Sequence, residues 1–142
     1  MGKTSQRKGR AGEIELANIL ERCGIKAAPG PPLNYGTVPD VIGIDGIHAE
    51  VKRVERLNVP AAMEQSIRDS EKFQDGIPAL FHRRNRGKWL VTMRLGDWVQ
   101  MYSRWGGKHE SEKNMGSETA ENQGSDSQNV PASPGRSHHV TR

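Results

Sequence analysis

The chain has 142 residues, enough for one domain and a tail. Its single cysteine, Cys23, excludes an internal disulfide, and no apolar run is long enough to suggest a transmembrane span. The net charge of +4 permits a polyanionic partner, and a hydrophobic content of 33% is low enough to imply that part of the chain stays unfolded.

The opening M-G-K-T-S-Q-R-K-G-R is basic but is followed by no apolar segment, so it does not read as a secretory signal and a cytoplasmic protein is expected. A first helix is predicted from about Lys8 to Cys23. Glu13, Leu16, Ala17 and Leu20 fall on one stripe at i, i+3, i+4 and i+7, which should face the core. Glu13 then ends a buried stripe, where an unpaired carboxylate is costly, so it needs a cation or donors. The alternative is a solvated rim position, like Glu15 and Glu21. Cys23 reads as a small core residue. Gly9 and Gly12 are poor helix formers that let a backbone or a phosphate approach closely.

Gly24 ends the helix. Ile25 to Ala28 reads as a first strand, followed by a proline-rich loop to Thr37 that carries Leu33 and Tyr35 and either touches substrate or is a plain connector. Val41, Ile42 and Ile44 then read as one strand and Ile47 to Lys52 as the next. A three-residue turn, Ile44-Asp45-Gly46 with Gly46 left-handed, sorts the faces better than a two-residue turn. It opposes Asp40 to Glu50. Val41, Gly43, Ile47, Ala49 and Val51 share an apolar face, and Asp40, His48, Glu50 and Lys52 share the other. Two like charges so opposed require something positive between them, for which Lys52 and a divalent cation are both candidates. Hard oxygen donors suit Mg²⁺. The plain alternative is a solvated hairpin with a surface Glu-Lys pair.

Lys52, Arg53 and Arg56 form a small basic cluster. Asn58-Val59-Pro60 signals a second helix, capped by Asn58 and running to about Gln74. Gln65 on this helix reads as a surface residue rather than a site residue. Ile77 to His82 is the next strand. Arg83, Arg84, Arg86 and Lys88 make a basic turn that attracts phosphates or is merely solvated, and Trp89 to Met93 returns. A last helix from near Asp97 carries Trp98, Met101, Tyr102 and Trp105 on one stripe, read as core packing; were the stripe exposed, it would suggest a dimer interface. From Gly106 the composition turns to Ser, Glu, Asn, Gln, Gly and Pro, and 106–142 is expected to be disordered, leaving a domain at 1–105.

The pattern P-D, nine residues, E-V-K (Pro39-Asp40 to Glu50-Val51-Lys52), within the order helix, three strands, helix, two strands, helix, resembles the PD-(D/E)XK nuclease superfamily. With Glu13 in G-R-A-G-E, it is most similar to small archaeal-type Holliday junction resolvases and their phage-encoded relatives, over about residues 5 to 102. The resemblance implies an α/β fold with the restriction-endonuclease-like αβββαβ core, a mixed central sheet flanked by helices. It implies Mg²⁺, with Mn²⁺ able to substitute, held by Glu13, Asp40, Glu50 and the Val51 carbonyl, while Lys52 assists the attacking water. It also implies a homodimer that cuts DNA, most specifically branched DNA. Phosphate contacts are expected from Lys3, Arg7, Lys8, Arg10, Arg53, Arg83, Arg84, Arg86 and Lys88. The alternatives are a repair or restriction-type duplex nuclease and a DNA-binding module without catalysis.

Overall fold

The structure, a computed structural model, describes residues 3–32 and 36–118, with side chains from residue 6 to residue 108. Leu33, Tyr35, the Lys3 side chain and the tail from residue 119 lie outside the described residues. The elements are α1 (Lys3–Arg22), β1 (Ala28–Pro29), β2 (Val41–Ile42), β3 (Ile47–Arg53), α2 (Val59–Phe73), β4 (Ile77–Arg83), β5 (Leu90–Thr92) and α3 (Leu95–Glu118). They form an α/β fold with a five-stranded mixed sheet in the order β1-β2-β3-β4-β5. All neighbours are antiparallel except β3 and β4, which are parallel and joined by α2. No helix among the described residues is long and apolar enough to cross a membrane.

The stripe on α1 faces the sheet. Leu16 and Ala17 are buried with Val41, Ala49 and Val51, and Leu20 packs against them. Gly12 permits this approach: a Cβ there would lie 3.1 Å from the Cβ of Arg53. The helix ends in a Schellman motif, with the Ile25 N–H on the Leu20 carbonyl at 3.0 Å and the Gly24 N–H on that of Glu21 at 2.9 Å. Cys23 lies past the last turn and is exposed, not in the core. The strand expected at Ile25 to Ala28 begins only at Ala28, because the chain turns first, the Ala27 N–H reaching the Ile25 carbonyl.

On the opposite face α2 packs Ala62 and Met63 on Leu80. Asn58 caps it, its side chain accepting from the Ala61 N–H at 3.1 Å, and left-handed Gln74 closes it. The following Gly76 adopts φ +137°, and a Cβ there would lie 2.3 Å from backbone atoms of Gly46. Only glycine lets the end of α2 lie against the β2–β3 turn. Pro78, near the start of β4, lies beyond the reach of β5, which pairs with Leu80 to His82.

Two expectations are corrected at the C-terminal end. The aromatic stripe of α3 is not core: Trp98, Met101, Tyr102 and Trp105 are 40–56% exposed. The two core clusters of the sheet are filled by α1 and by α2 instead. Residues 106–118, expected to be disordered, are helical, since the run after Gly107 contains Glu and Lys residues that favour helix. The chain divides into units at Ser103 and Arg104, two residues before the expected boundary.

Candidate functional site

β3 is paired on both sides and therefore holds its side chains firmly. Val41 pairs with Ala49, the register of the three-residue turn, in which Asp40 falls opposite Glu50. Gly46 is left-handed at φ +77°, as that turn requires. Alternation then sends Val51 toward α1 and His48, Glu50 and Lys52 toward α2. Asp40 is fixed by its own neighbour across the strands: the Val51 N–H donates to Asp40 Oδ2 at 2.8 Å.

Asp40, Glu50, Lys52 and Glu13 line one cleft of about 460 Å³. Glu50 is 4% exposed and His48 1%. Lys52 Nζ lies 2.8 Å from Glu50 Oε1 and donates to Gln65 Oε1 at 3.3 Å. Gln65, expected at the surface, is half-buried and lines the same cleft. Glu13 is buried, as its place on the stripe requires, and pairs with Arg10 Nη1 at 3.1 Å, while the same guanidinium nitrogen donates to the Gly30 carbonyl. Val51 sits buried between Glu50 and Lys52.

The electrostatics are those of a site with too much negative charge. Burial raises the Glu50 pKa, and the Asp40 carboxylate raises it further; the Lys52 hydrogen bond works against both without reversing them. Burial likewise raises Asp40, against the Val51 N–H and Lys52, and Asp69 adds to the rise. Glu13 is raised by burial and then by Asp40, despite Arg10. Carboxylates with so few cations among them are hard-oxygen donors of the kind that could hold a divalent ion such as Mg²⁺, and Glu13, Asp40 and Glu50 all line the cleft that would receive it.

This has a measurable consequence for stability. Carboxyl groups whose folded pKa is raised bind protons more tightly when folded. Their contribution is complete below the ordinary values, 3.8 for Asp40 and 4.5 for Glu13 and Glu50, and is lost as pH rises through the raised values. In EDTA, the melting temperature of the wild type relative to Glu50→Gln is expected to fall as pH rises through that window. A difference independent of pH, in calorimetric scans of both proteins, would show that Glu50 carries no such strain.

Several partners were missed in the sequence. Glu15, read as solvated, accepts from Arg83 Nη2 at 2.8 Å, from Trp89 Nε1 at 3.0 Å and from Arg53 Nη1 at 3.4 Å. Its pKa is lowered, chiefly by Arg83. Arg83 is therefore engaged within the domain, its guanidinium also lying over the Trp89 ring at 5.6 Å. Arg84, Arg86 and Lys88 are exposed in the β4–β5 turn. Arg7 and Lys8, on α1, line a second cleft of about 220 Å³ with Arg53 and Asn85. Lys8 and Arg53 line the acidic cleft as well, so the two clefts share their basic rim. His48 and Asp69 line the acidic cleft too, and neither carries a separate signal in the sequence beyond His48 sharing a face with Glu50. Comparison with protein-family models, with curated proteins and with solved structures gives no match.

Proposed function

We propose that the protein is a Mg²⁺-dependent DNA endonuclease of the PD-(D/E)XK kind that hydrolyses a phosphodiester, with branched DNA such as a Holliday junction as its substrate. The observation that carries this reading is the opposition of half-buried Asp40 to buried Glu50, with Lys52 on Glu50 and Glu13 in the same cleft. Asp40, Glu50 and Glu13 hold the cation, and Mn²⁺ can replace it. When bound, the cation neutralises charge developing on the phosphate. Lys52, oriented by Glu50 and Gln65, presents its ammonium group to the attacking water or to the phosphate oxygens.

The DNA backbone is taken to follow the basic rim. Lys8 and Arg53 line the acidic cleft, Arg7 lines the adjoining one, and Arg84, Arg86 and Lys88 are exposed in the β4–β5 turn. Neutralising Arg7 and Lys8, or Arg84, Arg86 and Lys88, is expected to weaken duplex binding and to flatten the slope of log affinity against log salt by about 0.9 per lost contact. Titrations at several salt concentrations check this. Unchanged slopes in both variants would remove these residues from the interface. Arg83 is expected to contribute less, because Glu15 already holds it.

A homodimer belongs to the same reading. Leu90, Val91, Leu95 and Trp98 are exposed to between 49% and 75%, apolar surface of the kind a second copy would cover. The test of the whole is nicking of supercoiled plasmid with and without Mg²⁺, followed by a comparison of a four-way junction with linear duplex of the same sequence. Preference for the junction supports resolution of branched DNA. Equal cutting points to a duplex nuclease, and no cutting with either Mg²⁺ or Mn²⁺ leaves a DNA-binding protein.

A further inference from the structure

Beside the Asp40–Glu50 opposition lies a second group of donors, two of which the nuclease reading does not use. A ring nitrogen of His48 and carboxylate oxygens of Glu50 and Asp69 lie within 4.8 Å of one another. His48 Nδ1 is taken: both oxygens of Asp75 stand 2.8–2.9 Å from it. Nε2 is therefore the nitrogen left for a ligand. It is buried and has no hydrogen-bond partner, in a residue only 1% exposed that lines the acidic cleft. A buried imidazole nitrogen without a partner is costly and needs an occupant. With Asp75 accepting from Nδ1–H, Nε2 is the atom whose lone pair a metal would take, the arrangement that metal-ligating histidines adopt under a carboxylate.

The spacing suits a cation. Ligand atoms each about 2.1 Å from one ion lie at most about 4.2 Å apart in any pair, so donors already within 4.8 Å of one another need only a modest side-chain closure to share one ion. Asp69 is on α2 and only partly buried, and its side chain can supply that movement. The donor set also differs from that of a Mg²⁺ site. One imidazole with two carboxylates favours a first-row transition-metal ion over Mg²⁺, which prefers oxygen donors throughout.

We propose that His48, Glu50 and Asp69 form a distinct binding site for a first-row divalent transition-metal ion, oriented by Asp75 and sharing Glu50 with the neighbouring carboxylates. The site is defined by binding alone and does not require that the protein cut DNA.

Mn²⁺ added to the full chain is the probe. Electron spin-echo measurements are expected to show modulation from a directly bound imidazole nitrogen. His48→Gln should abolish it. Because that variant alters a buried position, Asp69→Asn on the partly exposed face of α2 provides the second arm. It should weaken the nitrogen-bearing Mn²⁺ population by tenfold or more, and Asp75→Asn should weaken it by about 10- to 100-fold. Asp40→Asn should leave the nitrogen modulation in place. Absence of nitrogen modulation in the wild type, or its persistence unchanged in both Asp69→Asn and Asp75→Asn, overturns the proposal. Neither result touches cleavage through Asp40 and Lys52, which plasmid nicking in Mg²⁺ reads separately.

Discussion

Asp40→Asn and Glu50→Gln are each expected to lower DNA cleavage on the order of 10²- to 10³-fold or more, the scale seen when preorganised charge is removed from a reaction centre. Both variants should stay folded. The packing under the site comes from Val41, Ala49 and Val51 against α1, and an amide at position 40 can still accept the Val51 N–H. Burial raises the pKa of both groups and the Asp40 charge raises that of Glu50 further, so removing either charge should leave the apo proteins no less stable than the wild type. Lys52→Ala is expected to lose cleavage yet keep cation binding, since an ammonium group competes with a cation for Glu50. Glu13→Gln should be milder and partly rescued by raised Mg²⁺. Cleavage rates measured beside DNA affinity and circular dichroism decide the matter. A folded, DNA-binding Asp40→Asn protein that cuts at the wild-type rate would sink the nuclease assignment.

The second large effect is structural. Gly76→Ala is expected to destabilise the domain by roughly 2–5 kcal/mol, combining an unfavourable backbone conformation with overpacking. The added Cβ would meet the Gly46 backbone at 2.3 Å, and backbone cannot swing aside as a flexible side chain can. The loss should appear as a fall in melting temperature on the order of 10 °C or more. Because Asp75 precedes Gly76, the variant should also disturb the Asp75–His48 contact, which histidine ring resonances would report. A melting temperature unchanged from wild type would show that the α2–β4 junction shifts freely.

The order of elements was legible because each signal is local. Asn58 caps α2 through the Ala61 amide three residues on, and the Asp45-Gly46 turn sets the register that opposes Asp40 to Glu50. The stripe of α1 told correctly that Glu13 is buried. What the sequence concealed depends on how distant elements are rotated against one another. Glu15 meets Trp89 across 74 positions and Arg83 across 68. Its neighbours on the helix give no sign of that, because it sits beside the buried stripe rather than on it. The apolar positions of α2 form only a loose stripe, so its rotation, and with it the aim of Gln65, Asp69 and Asp75, could not be read in advance. The stripe on α3 was clear as a pattern, yet a pattern says which residues share a face and not whether anything covers it.

The side chain of Asp40 is also a rung between strands. β1 and β2 are only two residues long; near the site the Gly30 N–H to the Asp40 carbonyl ties the first to the second, and the Asp40 N–H to the Ala49 carbonyl and the Val51 N–H to the Asp40 carboxylate tie the second to β3. The last of these is strongest when the carboxylate is charged. The grip of the outer two strands on the sheet thus varies with the ionisation of a residue in the cleft, and protection of the Val51 amide from solvent exchange is a backbone measure of the charge state of Asp40.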